Sequence, residues 1–133
     1  MLKQLASGLV VIAAVVGLAG CANSGASKNI SVTTTDSKFA PTSWQVNKGQ
    51  SVSLTLKNTG KLQHEWVLLK TGTDVTMPFD EDDEDKVFWE IEAEPGQTKT
   101  ETFTAPADAG TYKVVCGTPA HLEQGMAATL VVK

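Results

Sequence analysis

From Asn29 onward, apolar and polar residues alternate in short runs, with a period of two rather than 3.6. Ile30 and Val32 alternate with polar neighbours, and Trp44 and Val46 form a second short run. Val52, Leu54 and Leu56 mark one face of Ser51 to Lys57. His64 to Leu69, Thr98 to Phe103, Thr111 to Cys116 and Met126 to Val132 follow in the same manner. Turn chemistry bounds the runs: Pro41, Lys48-Gly49, Asn58-Thr59-Gly60 and Pro106-Ala107-Asp108-Ala109-Gly110. No stretch carries a convincing helical stripe. The pattern predicts an all-β fold, a Greek-key β-sandwich of about seven to eight short strands in two antiparallel sheets.

The same period sorts chemistry-bearing residues by face. His64 shares a face with Trp66 and Leu68, Cys116 with Tyr112 and Val114, and Met126 with Ala128, Leu130 and Val132. All three therefore point toward the core from strand ends. A lone histidine on an apolar face is usually a satisfied core residue, but three such side chains in phase are harder to read that way. Cys116, His121 and Met126 fall as C-x4-H-x4-M on one short connection. A thiolate, an imidazole and a thioether are the soft donors that suit copper. The set needs a second imidazole, and His64 is the other histidine in the chain.

Lys70 to Glu94 has a weaker pattern and contains the run Asp80, Glu81, Asp82, Asp83, Glu84, Asp85. Six successive carboxylates are expected to lie in solvent, on a long loop or flap with at most a helical turn. The run could steer a basic redox partner. It lacks the spaced ligands and glycine of a calcium loop. A solvated charge run is the simplest reading.

The chain begins differently. Lys3, the apolar run Leu9 to Val16, and the small residues Ala19 and Gly20 have the layout of an export signal. Leu18-Ala19-Gly20-Cys21 resembles the lipobox of bacterial lipoproteins, in which cleavage precedes the cysteine and lipid is attached to its sulfur. The alternative is an uncleaved membrane helix over Leu5 to Gly20. Cys21 to Lys28 is polar and aperiodic, as a flexible tether would be. The expected division is a signal peptide at 1–20, a lipidated tether at 21–28 and one domain at 29–133. That domain would lie outside the cytoplasm, on the periplasmic or cell-surface side of a bacterial membrane. With Cys21 committed to lipid, Cys116 is left alone in an oxidising compartment, where a metal would protect it. A buried inert cysteine is the bland alternative.

The length of 133 residues suits one domain. The net charge is −4 and every basic residue is a lysine, so nothing resembles a nucleic-acid-binding patch. The acidity favours a basic protein partner.

Two stretches carry a resemblance to a known family. Gln63-His64-Glu65-Trp66-Val67-Leu68 resembles the strand bearing the first histidine ligand in azurin and auracyanin, and Cys116-Gly117-Thr118-Pro119-Ala120-His121 resembles the azurin-type cysteine-to-histidine loop. The gap from His121 to Met126 is like that of plastocyanin and rusticyanin. By these motifs the chain resembles the cupredoxins, the type 1 blue copper proteins. The resemblance implies one copper ion, cycling between Cu(I) and Cu(II), with His64, Cys116 and His121 as strong ligands and Met126 as the weak axial one. It implies a monomeric carrier of single electrons between redox proteins, such as a c-type cytochrome or a membrane oxidoreductase, and the lipobox would tether it to a membrane on the extracytoplasmic side. That ligand set leaves no open coordination position, so an enzyme is not expected. The alternative is a copper-binding or delivery protein that does not cycle.

In relatives the ring edge of the second histidine reaches an apolar surface. Here Pro119, Ala120 and Leu122 would form it with Pro41, and the acidic run 80–85 would flank the docking surface. Many relatives carry asparagine after the first histidine and serine or threonine after the cysteine, whose side chains tie the ligand loops together. Glu65 and Gly117 hold those places here, so that tie is expected to be missing. The Glu65 N–H should still reach the cysteine sulfur.

Overall fold

The computed structural model describes residues 26–133. The expected signal peptide at 1–20, the expected lipidation site Cys21 and most of the expected tether at 21–28 lie outside the described residues. Just before the first strand the chain is bonded into both halves of the fold: Ser27 N–H donates to the Gln45 carbonyl, and Ser53 N–H to that of Lys28.

Among the described residues nine strands follow in chain order: β1 Asn29–Thr35, β2 Lys38–Ala40, β3 Ser43–Val46, β4 Ser51–Asn58, β5 His64–Leu69, β6 Val87–Ala93, β7 Thr98–Thr104, β8 Gly110–Val115 and β9 Ala127–Val132. They form a four-stranded sheet ordered β2-β1-β4-β7 and a five-stranded sheet ordered β3-β9-β8-β5-β6. The sandwich is as expected, but its sheets are mixed rather than antiparallel. β1 runs parallel to β4 and β3 parallel to β9. The cause is connectivity: the chain leaves the first sheet at β3 and returns at β4 in the direction of β1.

Inner faces follow the period-two reading. Ile30, Val32, Val52, Leu54 and Leu56 on one sheet are buried against Trp44, Val46, Trp66, Leu68, Val114, Leu130 and Val132 of the other. Each such side chain contributes about 1.5–3 kcal/mol by leaving water. Trp66 is central, with ring centroids 5.7 Å from Trp44 and 6.0 Å from both Trp89 and Phe103. Tyr112 closes the turn before β8 by donating its hydroxyl to the Asp108 carbonyl at 2.8 Å.

The segment after β5 departs from expectation in two ways. First, its end is a strand: β6 pairs antiparallel with β5, setting His64 opposite Ala93 and Trp66 opposite Ile91. Second, the acidic run does not lie wholly in solvent. It forms a 3₁₀ turn over Glu81–Lys86, and Asp83 within it is buried. The Asp80 carboxylate caps the turn by accepting from Asp82 N–H, and Asp83 accepts from Lys86 Nζ at 2.6 Å. A capped 3₁₀ turn satisfies backbone donors that would otherwise need water. The flap also packs. Val75, Phe79 and Val87, together with Leu122, cover Val67, Leu69 and Val115 on the outer face of the five-stranded sheet. Strand β5 is therefore shielded on both faces, which explains its unbroken apolar run Trp66 to Leu69.

The topology fixes the positions of the candidate ligands. In the five-stranded sheet β9, β8 and β5 are neighbours. Met126 immediately precedes β9, Cys116 immediately follows β8, and His64 opens β5. Antiparallel pairing of β8 with both neighbours brings these three ends to the same edge of the sandwich.

Candidate metal centre

At that edge Cys116 Sγ lies 3.4 Å from His121 Nδ1 and 3.8 Å from His64 Nδ1. The ligand atoms of these three residues all fall within 4.8 Å of one another. Two donors bound at about 2.0–2.3 Å to one ion, at a trigonal angle, would stand roughly 3.5–3.7 Å apart. The two sulfur–nitrogen spacings bracket that value. All three residues are buried, as is Met126 at 1 % exposure in the adjoining core. The donor set fits a soft first-row ion such as copper without rearrangement of the chain.

Backbone hydrogen bonds join the ligands to each other. Cys116 N–H donates to the Met126 carbonyl at 3.2 Å, and Met126 N–H to the His121 carbonyl at 3.0 Å. His121 N–H donates to the Thr118 carbonyl at 3.1 Å. The loop is thus a chain of turns closed on itself at the base of β8 and β9. Ala120 takes a left-handed conformation, φ 68°, just before His121. For a residue with a β-carbon this costs roughly 1–2 kcal/mol, which the closed loop must hold.

Glu65 N–H donates to Cys116 Sγ at 3.4 Å, as its position after His64 implies. The side-chain tie between the loops, expected to be missing, is made one residue later. Thr118 Oγ1 donates to the Gln63 carbonyl at 2.9 Å, joining the cysteine loop to the residue before His64. A second anchor is Asn58, which is buried. Its Nδ2 donates to the carbonyls of Leu62 and Ala93 at 2.8 and 2.9 Å, and its Oδ1 accepts from Gly60 N–H at 2.8 Å. This side chain secures the connection between β4 and β5 that delivers His64. The sequence pattern marks neither residue: Asn58 reads as ordinary turn chemistry, and nothing local singles out Thr118 inside the ligand loop.

Burial lowers the His64 pKa from its ordinary 6.5, and the nearby His121 pushes it the same way, while Asp36 opposes them. Burial raises the Cys116 thiol above its ordinary 9.0, with partial relief from the Glu65 N–H and from Thr118. In the metal-free protein the pocket thus favours a neutral imidazole and a neutral thiol. A cation that takes up the thiolate charge removes the reason for that preference.

The residues expected to dock a partner divide. Pro119 and Ala120 are exposed beside His121, which is itself only 2 % exposed. Pro41 is exposed before β3, and the β3–β9 register, extended two residues, sets it level with Ala127 at the site edge. Leu122 instead packs into the cluster beneath the flap. Of the acidic run, Asp80, Glu81 and Glu84 line an open cleft with Glu65, Glu90, Phe79 and Pro119. Asp82 and Asp85 are exposed, and Asp83 is buried.

A family model described as a cupredoxin-like domain matches residues 8–132. Auracyanin-B of Chloroflexus aurantiacus is 32% identical over 110 residues, covering 71% of this chain and 46% of that protein, so the chain spans about half the length of this relative. Among solved structures, the dithionite-reduced auracyanin of Roseiflexus castenholzii aligns with a TM-score of 0.71 at 31% identity, covering 82% of this chain and 99% of that one. Auracyanin A of Chloroflexus aurantiacus, described as a "blue" copper protein, aligns with a TM-score of 0.67 at 29% identity, covering 79% and 98%. With nine strands among the described residues in a two-sheet sandwich, and a buried His-Cys-His set at its edge, the chain belongs to the cupredoxin-like family.

Proposed function

We propose that this protein is a type 1 copper protein that carries single electrons between extracytoplasmic redox partners, tethered to a membrane through lipid on Cys21. The observation that carries the reading is the convergence of Cys116 Sγ, His64 Nδ1 and His121 Nδ1 in a buried pocket, with Met126 beside them. Bound copper would supply a one-electron Cu(I)/Cu(II) couple, and these two imidazoles, thiolate and thioether are the donors that would hold it.

The rest follows from what the chain does. Its loop is closed by Cys116, His121 and Met126 backbone bonds and is tied to the other ligand segment through Thr118 and Gln63. Donors held this way move little when the charge of the site changes, which keeps the barrier to electron transfer low. Burial of all four residues shields the site from water, which suits an electron carrier. The exposed Pro119 and Ala120 beside His121 offer a small surface for a transient partner. Carboxylates of Glu81, Glu84 and Glu90 near that surface would favour a basic one, such as a c-type cytochrome or a basic face of a membrane oxidoreductase.

The test is to add one equivalent of Cu(II) to the lipid-free chain Ser27–Lys133 and record visible and electron paramagnetic resonance spectra. An intense thiolate-to-copper band, bleached by ascorbate and restored by oxidant, is the expected result. A weakly coloured complex with ordinary square-planar copper signals would remove the carrier reading and bring copper delivery forward.

A further inference from the structure

His64 presents Nδ1 to Cys116, and its other ring nitrogen, Nε2, is buried with no hydrogen-bond partner among the described residues. A buried ring N–H without an acceptor is costly and leaves the ring free to choose the wrong tautomer. One charged group faces it. Gly60 lies between His64 and Asp36, and a β-carbon there would stand 2.8 Å from His64 Nε2 and 2.6 Å from Asp36 Oδ1. The ring nitrogen and the carboxylate therefore border the same small space, the one a side chain on Gly60 would fill, without a direct hydrogen bond between them. The carboxylate is itself held, because Asp36 Oδ1 accepts from Lys61 N–H. Gly60 has no need of a left-handed backbone here. Its lack of a side chain is explained by this gap.

We infer that Asp36 is a positioning residue for His64: its carboxylate, set near Nε2 across the Gly60 gap, favours the proton on Nε2 and so directs the Nδ1 lone pair toward Cys116. The inference rests on the reading of His64 as a copper ligand through Nδ1. A carboxylate on the far side of a ligating imidazole fixes the tautomer and increases the basicity of the bound nitrogen. Here the carboxylate comes from the turn between β1 and β2, in the opposite sheet, so it also couples the two sheets at the metal edge.

The test compares the parent with Asp36→Asn, first in the metal-free protein. Asparagine keeps an oxygen for Lys61 N–H but removes the charge, so a purely structural role for Asp36 predicts parent-like behaviour. Long-range proton–nitrogen NMR of the histidine rings should show His64 protonated on Nε2 in the parent. The Nε2–H resonance should move upfield in Asp36→Asn. Gly60→Ala, which interposes a methyl group, should reproduce that movement while keeping the parent circular dichroism spectrum. Loaded with copper, Asp36→Asn should bind Cu(II) about tenfold more weakly. With Cu(I) affinity unchanged, this raises the reduction potential by about 59 mV. A proton on Nδ1 of His64, or an Nε2–H resonance unmoved in Asp36→Asn, overturns the inference. If the parent binds copper without a type 1 spectrum, the carrier reading fails, while the metal-free NMR comparison still decides between Asp36 and no partner.

Discussion

The Glu65 carboxylate stands where a side chain on Gly117 would go: a β-carbon at Gly117 would lie 2.1 Å from Glu65 Oε2 and 3.3 Å from Phe79 Cε1. The two departures from the common cupredoxin pattern therefore account for each other. Glu65 brings a larger side chain to the outer face of β5, and the position after the ligand cysteine has given up its own. The carboxylate is partly desolvated there. Burial first, then Glu90 and Glu92, raise its pKa above the ordinary 4.5.

This pairing predicts a strong coupling. Gly117→Ser alone must displace a flexible carboxylate and press on Phe79, at a cost of about 1 kcal/mol. In a Glu65→Ala background the carboxylate is gone, and the same change should cost much less. Urea unfolding of the parent, both single variants and the double variant gives the coupling directly. Additive free energies would mean that Glu65 and Gly117 are independent.

Thr118 replaces the lost tie, and its removal should be visible at the metal rather than in the fold. Thr118→Val deletes the hydroxyl that donates to the Gln63 carbonyl. The expected stability loss is about 1 kcal/mol. The larger effect is expected in the copper-loaded protein, as a shifted or broadened thiolate-to-copper band and an altered copper hyperfine splitting. Thr118→Ser keeps the donor and should restore the parent spectrum. A Thr118→Val spectrum identical to the parent would show that the loops hold their geometry without this bond.

Much of this centre was legible in the sequence because its logic is local. The phase of His64 with Trp66, and of Cys116 with Val114, depends only on the two-residue repeat of a strand. C-x4-H-x4-M places three donors on one connection whatever the rest does. What escaped depends on proximity in space. Strand β6 was hidden because Phe88 breaks the alternation of Val87, Trp89 and Ile91, and because an acidic run precedes it. The burial of Asp83 follows from a cap and a lysine three residues on, which charge counting does not register. The parallel pairs β1–β4 and β3–β9 depend on which sheet each strand joins, and no single strand encodes that.

The pH dependence of the metal-free protein follows from two shifts of opposite direction. His64 has a lowered pKa when folded, so its contribution is complete above the unfolded value of 6.5 and is lost as pH falls through the folded value. Cys116 has a raised pKa when folded, so its contribution is complete below the unfolded 9.0 and is lost as pH rises through the folded value. Glu65, also raised, adds stability as pH falls toward 4.5 and so blunts the acid limb. Chemical denaturation between pH 5 and pH 10 should therefore show loss at both ends. The acid limb should steepen in Glu65→Gln and flatten in His64→Gln. An acid limb unchanged in His64→Gln would assign that limb to other groups.

Asn58 offers the sharpest separation of fold from site. Its amide makes three hydrogen bonds within 2.9 Å, two as donor to Leu62 and Ala93 and one as acceptor from Gly60. Two of them lie within the connection between β4 and β5 and the third ties it to the end of β6, while its backbone groups bond independently to Gln97 and Gly96. Asn58→Ala keeps those backbone bonds but takes the side-chain partner from the buried Ala93 carbonyl and from the part-buried Leu62 carbonyl and Gly60 N–H, at a cost of about 2–3 kcal/mol. Of the four ligands, only His64 is reached through this connection. Copper loss to a chelator should therefore accelerate in Asn58→Ala more than in a core variant of equal instability such as Leu130→Ala, which leaves the connection intact. Equal rates in the two variants would mean that Asn58 supports the sandwich as a whole and has no particular hold on His64.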